Sequence, residues 1–422
     1  MAQQQHQQRP TVSVQVNPSI NSIFQTFIWV ILLIAGCILW LIAYTANNYN
    51  YHFQRKHVED QETGSVSGDP YAPPMEHQGH KIILFWNNFG TLQPYEFGLG
   101  HAPFVKHRCT IHNCMTTEDR TLLPKADAVI FHVRGLIEDS KEQLPKRAHP
   151  EQLFVFFTLE SPIHTYHNLT AFYDYFNLTF TYREDSDIYC PMGKVTRRPE
   201  SRIIRNMNHT LSKLYSTKSK IAAWVISKCD KEGSMRWQYG TELAKHIQVD
   251  VYGKCGTFSC PKTHFGLKCY TMISRKYRFY LGFENSFCKD YTTEKLWRTL
   301  QYDLVPVVLG GANYSHFLPP KSYIDVRDFN SPKHLAHYLH YLANNPVHYL
   351  EYFQWKETLR LRTVTNLRRD GFCKLCEILH APEKYTYKKE FDVHKWWDLD
   401  ANCLHDEALA RTLGLPPDTR GP

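Results

Sequence analysis

The chain has no long block of lysine or arginine, which argues against nucleic-acid binding. Its formal net charge of +8 is modest for 422 residues; it suits a surface that meets anionic ligands but names none of them. No internal repeat is present, which argues against a solenoid or propeller. Cys373-Lys-Leu-Cys376 has no second Cys-x-x-Cys at zinc spacing, which argues against a zinc site. What is abundant is aromatic. The 26 Tyr, 24 Phe and 9 Trp, within a hydrophobic fraction of 43%, allow sizeable cores, and the length accommodates two domains.

Charge is also missing locally, from Ile23 to Tyr44. That apolar run is long enough to span a bilayer, which takes about 20 residues. It exceeds the roughly 7–15-residue core of a cleaved signal peptide, so a retained anchor is expected. Arg9 before the span and Arg55 and Lys56 after it do not orient it. The sequons do. Asn168-Leu-Thr170, Asn177-Leu-Thr179, Asn208-His-Thr210 and Asn313-Tyr-Ser315 all follow the span, as do eleven of the twelve cysteines. The expectation is a single-pass type II protein with a lumenal body. Residues 1–22 are Gln-rich and read as a cytosolic tail. Residues 45–79, with Gly64, Gly68, Pro70, Pro73 and Pro74 and few aliphatics, read as a flexible stem.

From Lys81 the composition changes. Lys81-Ile-Ile-Leu-Phe-Trp86, Ala126-Asp-Ala-Val-Ile-Phe-His132 and Leu153-Phe-Val-Phe-Phe-Thr-Leu159 are continuous apolar runs. They predict strands covered on both faces, as in a parallel α/β sheet. Ile221–Ile226, Arg278–Phe283, Val305–Leu309 and Tyr323–Val326 repeat the style. A helix follows the last of these, with Ser331 as cap and Pro332 in its first position. Two such α/β units, joined near residues 197–220, predict two sheets facing across a cleft.

Ligands of open α/β sheets bind beyond the C-terminal ends of the strands. Phe283-Glu284-Asn285 lies at such an end, and Thr292-Thr-Glu-Lys295 opens the next helix. Lys295 can neutralise a diphosphate, and Glu294 can bind sugar hydroxyls or face a developing oxocarbenium ion. The same residues also suit a plain surface turn, with Thr292 as cap and Glu294 favoured by the helix dipole. Glu160, in Glu160-Ser-Pro-Ile-His164, ends another apolar run. A partly desolvated carboxylate at a strand lip suits a general base, and a carboxylate that merely ties the turn is the alternative. Asp185-Ser-Asp187 has the Asp-x-Asp form that binds Mn²⁺ in many glycosyltransferases, but its distance in sequence from Lys295 and Arg236 favours a structural loop.

The stretch Tyr277-Arg-Phe-Tyr-Leu-Gly-Phe-Glu-Asn-Ser286, continuing through Lys289-Asp-Tyr-Thr-Thr-Glu-Lys-Leu296, resembles the donor-binding signature of the α1,3/4-fucosyltransferases. Glu-Ser-Pro-x-His from Glu160, followed by Phe176-Asn-Leu-Thr-Phe-Thr-Tyr-Arg-Glu-Asp-Ser-Asp-Ile188, resembles the family's second signature in the same order. Trp224-Val-Ile-Ser227 and Ser234-Met-Arg236 are similar to its nucleotide-contacting elements. They depart from it by one extra residue between them and by Lys228 where Asn is usual; Thr292 also replaces a β-branched aliphatic.

The resemblance implies the fold: α/β, two Rossmann-like domains facing a cleft (GT-B), behind a transmembrane helix and stem. It implies an acceptor domain at 80–210, a donor domain at 211–372, and a segment at 373–422 strapped back to the first domain. It implies that Trp224, Ser227, Arg236, Tyr280, Asn285, Tyr291, Glu294 and Lys295 bind GDP-fucose and that Glu160 is the base. It implies disulfides Cys109–Cys373 and Cys114–Cys376. The expected activity is inverting α1,3-fucosyl transfer from GDP-fucose to a GlcNAc hydroxyl of an N-glycan or glycoprotein in the Golgi lumen. No metal is required on this reading, and Mn²⁺ is at most a stimulant. A metal-dependent Golgi glycosyltransferase using Asp185 and Asp187, and an inactive glycan-binding membrane protein, are the rivals.

Overall fold

Strand formation in this chain follows the continuous apolar runs. The computed structural model describes residues 79–415 apart from 88–95, 139–143, 166–167, 205–211, 214, 230–233 and 261–266. The expected tail, anchor and most of the stem, and the sequon at Asn208, lie outside the described residues. Among the described residues no helix is long and apolar enough to cross a membrane.

The first sheet contains β1 (Lys81–Phe85), β2 (Cys114–Thr117), β3 (Ala128–His132), β4 (Leu153–Thr158), β5 (Leu178–Thr181) and β6 (Ile188–Tyr189), in the order β2-β1-β3-β4-β5-β6. All of its pairings are parallel. All six residues of β4, Leu-Phe-Val-Phe-Phe-Thr, are buried, as a parallel strand covered on both faces requires. After an antiparallel ribbon strand, β7 (Gly193–Arg197), the second sheet begins. It uses β8 (Lys220–Val225), β9 (Val249–Tyr252), β10 (Tyr277–Phe283), β11 (Val305–Leu309) and β12 (Ile324–Asp325), again all parallel, in the order β12-β11-β10-β8-β9.

Read from the first strand of each half, both sheets have the order 2-1-3-4-5, the first with a sixth strand added. The two halves therefore share a topology that no sequence repeat announces. Each sheet reverses direction at one point, between β1 and β3 and between β8 and β10. Side chains at the C-terminal ends of those strands face the crevices where doubly wound sheets bind ligands.

Among the described residues, the helices of eight residues or more are α1 (Arg236–Leu243), α2 (Leu267–Lys276), α3 (Glu294–Gln301), α4 (Pro332–Asn344) and α5 (Val364–His380). Ser331 caps α4 by accepting from the His334 N–H, with Pro332 in the first turn. Strand β13 (Leu359–Thr363) pairs antiparallel with β7 and leads into α5.

Helix α5 belongs to the first core. Phe372 packs its ring against Phe85, Phe97 and Phe180 at centroid distances of 5.7, 4.6 and 5.3 Å. Truncating so buried a ring costs about 3–5 kcal/mol. Gly371 permits the approach, because a Cβ there would lie 2.3 Å from the Phe180 ring. The expected boundary at 372 is thus corrected: the chain returns to the first half with β13 and α5. It then crosses back, since Leu409 and Leu413 enter the second core. The structure holds Cys109–Cys373 and Cys114–Cys376, and also Cys229–Cys255, Cys260–Cys269 and Cys288–Cys403.

Candidate active site

Glu160 follows β4 at its C-terminal end. Ser161 is extended, as a residue before proline prefers, and Pro162–His164 makes a single 3₁₀ turn. Thr165 closes that turn by donating its hydroxyl to the Ser161 carbonyl at 3.0 Å. The Glu160 side chain is 23% exposed, so it is reachable yet largely desolvated. Its Oε2 accepts from an Arg134 guanidinium nitrogen at 3.1 Å. Its Oε1 accepts the Tyr291 hydroxyl proton in a short bond and lies 3.4 Å from the Asn285 amide nitrogen. Glu160 belongs to the first half, and Asn285 and Tyr291 belong to the second. The structure therefore brings the expected base together with two residues of the expected donor signature, 125 and 131 positions away.

The loop between β10 and α3 makes this junction. Cys288 and Tyr291 are buried in the first core cluster rather than the second. Ser286 and Ser161, both fully buried, share a hydrogen bond of 2.6 Å between hydroxyls. Asp290 takes a left-handed backbone, φ 59°, which turns Tyr291 back toward Glu160. Burial, reinforced by the neighbouring Glu160 charge, pushes the Tyr291 phenol well above its ordinary pKa. It stays a donor.

Lys295 lies one position into α3, whose cap is Thr293. Its ammonium nitrogen is 2.8 Å from the Thr293 hydroxyl, 3.2 Å from Glu284 and 3.5 Å from Glu294. Burial alone would lower its pKa, but Glu284 and Glu294 outweigh burial and hold the ammonium above the usual lysine value. Glu284 is 1% exposed and also accepts from the Thr293 N–H at 2.7 Å and from its hydroxyl at 2.7 Å. Burial raises its pKa, Glu294 adds to the rise, and Lys295 opposes it.

Arg236 opens α1 just after Met235, whose φ of 51° is again left-handed. The Arg236 charge acts on both Lys295 and His164. Burial lowers the His164 pKa; Glu160 raises it, and Lys228, Arg134 and Arg236 lower it further. Arg134 pairs with Glu160, while the charges of Lys228 and Arg236 reach the neighbouring His164. Such cations can stabilise a departing diphosphate without a proton transfer.

Other expected residues are placed differently. Trp224 is 2% exposed and stacks on Trp237 at 5.8 Å in the second core, with Phe283 at 5.7 Å. Tyr280 is equally buried, and its hydroxyl accepts from Tyr270 at 2.9 Å. Both sit below the lip, as wall rather than contact surface. Ser227 and Lys228 are exposed beyond β8, and Glu294 is 43% exposed. Asp185 pairs with Arg183 at 2.6 Å and with Lys289 at 3.3 Å. Asp187 accepts from the Thr179 N–H at 2.8 Å and from Lys388 at 2.6 Å. Both carboxylates are engaged in tying loops together. Among the described residues the grouping of three possible metal ligands is Cys114, Cys376 and His380, and its two cysteines form a disulfide.

Two of the sequons have open geometry. Asn168 and Asn313 are exposed, each with its Oδ1 accepting the hydroxyl two residues on, Thr170 at 2.6 Å and Ser315 at 2.8 Å. Asn177 is different. Its Oδ1 accepts from the Phe154 N–H at 2.8 Å and its amide nitrogen lies 3.4 Å from the Gln152 carbonyl, so it bridges β4 and β5. A glycan there is compatible with this bridge, because a glycosylated amide keeps its Oδ1 and one N–H.

Sequence reasoning gave no role to Arg134, Glu284 or Ser286, and it strapped the C-terminal segment to the first half only. Glu284 had a signal, an acid at the end of an apolar run. Arg134 had only its place after β3. The strap's further contacts had none: Cys403 bonds Cys288, the Lys289 N–H donates to the Ala401 carbonyl at 2.8 Å, and the buried Trp397 donates to Thr165 at 2.9 Å. These contacts hold the two catalytic loops from behind.

The family model for the N-terminal part of fucosyltransferases matches residues 78–193. The model for the C-terminal part of glycosyltransferase family 10 (fucosyltransferase) matches residues 215–396. Alpha-(1,3)-fucosyltransferase C of Drosophila melanogaster is 34% identical over 348 residues, 76% of this chain and 78% of that one. A human 4-galactosyl-N-acetylglucosaminide 3-alpha-L-fucosyltransferase is 40% identical over 340 residues, 78% of this chain and 87% of that one. A crystal structure of an alpha1,3-fucosyltransferase with GDP-fucose aligns at 16% identity and a TM-score of 0.45, over 76% of this chain and 94% of that chain.

Proposed function

This chain belongs to glycosyltransferase family 10, the fucosyltransferases, and we propose that it moves L-fucose from GDP-fucose to a GlcNAc hydroxyl of a glycoprotein glycan, with inversion at fucose C1. The observation that supports this most is the junction at Glu160. One carboxylate at the lip of the first sheet is held by Tyr291 and Asn285 of the second and by Arg134 of the first.

In the reaction, Glu160 takes the proton of the acceptor hydroxyl. That oxygen forms a bond to fucose C1 as the bond from C1 to the β-phosphate oxygen breaks. GDP leaves with the electron pair. Arg236 and Lys295 stabilise the charge on the leaving diphosphate, Arg236 through a guanidinium fork that matches phosphate geometry. Glu284 and Thr293 fix the ammonium where the charge develops. Arg134 and Tyr291 hold the carboxylate aimed. Displacement of Tyr291 by the acceptor hydroxyl would free Oε1 for the proton. One base and no covalent intermediate give inversion.

We assign the body to the Golgi lumen behind a type II anchor at residues 23–44. Support comes from five disulfides and two exposed sequons, which suit an oxidising compartment that glycosylates. The cations take the electrostatic part that a metal plays elsewhere.

The test uses the full chain purified in detergent, wild type and Glu160→Gln. Each is incubated with GDP-fucose, EDTA and a panel of core and antennal N-glycans, and products are read by mass spectrometry. Fucosylated product from wild type, reduced at least 1,000-fold (about 4 kcal/mol) in the variant, is expected, and the acceptor that reacts names the linkage. Activity that needs added Mn²⁺ would overturn metal independence. A Glu160→Gln enzyme with full activity would overturn the base.

A further inference from the structure

A cavity of about 390 Å³ opens at the ends of β11 and β12, on the side of β10 away from its crevice with β8. Its volume is in the range of small-ligand sites, which run about 300–1,000 Å³. The lining includes Asn313, the asparagine of the last sequon, together with Tyr314, Tyr323, Asp325, Arg327 and Asp328. Asn313 is exposed, and its Oδ1 accepts from the Ser315 hydroxyl at 2.8 Å. A sugar carried on its amide nitrogen would therefore start at the wall of this cavity.

The wall is rigid and polar. Arg327 is clamped by Asp325, with Nε 3.0 Å from both carboxylate oxygens and Nη2 2.6 Å from one of them. Nη2 also donates to the Ala312 carbonyl at 2.8 Å. Nη1 takes no part in these bonds and is left as a donor in a fixed place. Burial and the Asp325 charge push the Asp328 carboxyl above its ordinary pKa, against the pull of Arg327. Its oxygens are acceptors. Tyr323 is half-buried and braced against Tyr314, with ring centroids 5.5 Å apart.

Two carboxylates stand against one guanidinium, so the lining disfavours phosphate, sulfate and other anions. An N-acetylglucosamine ring suits it. The ring is neutral, its acetamido group offers one N–H and one carbonyl, and its C–H face can lie on the negative face of an aromatic ring. The tether decides between this occupant and a free molecule. A sugar linked to Asn313 is present at an effective concentration of about millimolar or more, so contacts too weak to hold a free sugar suffice.

We propose that this cavity seats the innermost GlcNAc of a glycan carried by Asn313. The seated sugar joins the loop after β11 to the single 3₁₀ turn at Val326–Asp328 and becomes part of the second half's fold. The proposal rests on the lumenal placement above and is independent of the fucosyl-transfer reading.

The full chain, made in a host that adds only high-mannose glycans and purified in detergent, is compared with Asn313→Gln and Ser315→Ala, which abolish the sequon from either end. Tyr323→Ala is made with and without Asn313→Gln. Glycopeptide mass spectrometry reads occupancy, and fluorescence reads the unfolding temperature. Wild type and Asn313→Gln are also trimmed with an endoglycosidase that leaves one GlcNAc on each asparagine. Both sequon variants should unfold at least 2 °C below wild type. Trimming should shift wild type and Asn313→Gln alike, since the innermost sugar stays. Tyr323→Ala should lower the unfolding temperature at least 2 °C more with the glycan than without it. Sequon variants as stable as wild type, trimming that erases the difference between wild type and Asn313→Gln, or additive effects of Tyr323→Ala and Asn313→Gln would overturn the seat. An empty Asn313 beside an occupied Asn168 would overturn it too; if both are empty, the lumenal placement falls with it.

Discussion

Removing the bridge between Cys288 and Cys403, by Cys288→Ser with Cys403→Ser, tests whether the C-terminal strap positions the catalytic loop. The bridge closes a loop of 115 residues, and no other disulfide shortens it, because Cys373 and Cys376 pair with cysteines outside the loop. Chain-entropy bookkeeping for that length gives about 4.8 kcal/mol as a ceiling, and native bridges usually contribute about 2–4 kcal/mol. Residues 77–422 form one unit, for which the unfolding entropy is roughly 0.7 kcal/mol per degree. The unfolding temperature should therefore fall by about 3–7 °C. Activity should fall further than stability accounts for. Tyr291 is three residues from Cys288, and its hydroxyl is the second-half group bound most tightly to Glu160. A displacement on the order of 1 Å there costs up to about 100-fold in rate. Thermal unfolding by fluorescence and steady-state transfer at 20 °C, well below unfolding, are the assays. A kcat lowered 10- to 100-fold, with KM for GDP-fucose changed less than threefold, is the expected pattern. An unfolding temperature within 1 °C of wild type together with full kcat would refute the reasoning.

Three further outcomes follow from the structure. Glu284→Gln takes the buried carboxylate from Lys295 and should lower kcat/KM for GDP-fucose roughly 10- to 100-fold, the value of a charge-assisted hydrogen bond of about 1.5–3 kcal/mol; unchanged donor kinetics would show that Thr293 alone suffices. Burial, with Arg134 and Arg368, lowers His132 to about 4, and burial, with Arg369 and Lys106, does the same to His107. Since the folded values lie below the unfolded one, the unfolded chain binds the extra protons, and stability present above pH 6.5 is lost as pH falls from 6.5 to 4. The loss should be on the order of 2 kcal/mol for His132, and urea unfolding of a His132→Gln variant should show a shallower decline across that window. Asn313→Gln and Asn168→Gln should each remove one glycan mass in a glycosylating host. Asn177→Gln should destabilise the fold by about 1–2 kcal/mol in urea unfolding, and unchanged stability would contradict its role as a bridge.

Much of this protein was open to reading from sequence because its information is local. Buried parallel strands need unbroken apolar runs, so β1, β4, β10 and β11 were each expected within a residue or so of where they occur. The cap and first turn of α4 follow from Ser331 and Pro332 alone. Glu160 and Asn285 were expected at strand lips, and Lys295 at the start of the next helix, because that is where sheets of this kind place their ligands; Tyr291 came from the family resemblance alone. The short strands β2, β5, β6 and β9 gave weaker signals, since two to four residues carry little periodicity.

What remained was decided by tertiary structure, because it depends on which segments meet. No pattern in 422 residues shows that the Tyr291 hydroxyl donates to Oε1 of Glu160, or that Glu284 is buried under Lys295. The equal strand order of the two sheets is a property of neighbours in space and leaves no repeat in the chain. Trp224 and Tyr280 illustrate the converse: a motif marks the strand, but the pleat decides which side chains face the cleft and which face the core. The pairing of Cys288 with Cys403, and the bridging bonds of the Asn177 amide, follow from the same fact. Sequence specifies local geometry and polarity; the packing of two halves into one unit selects which of those groups share a site.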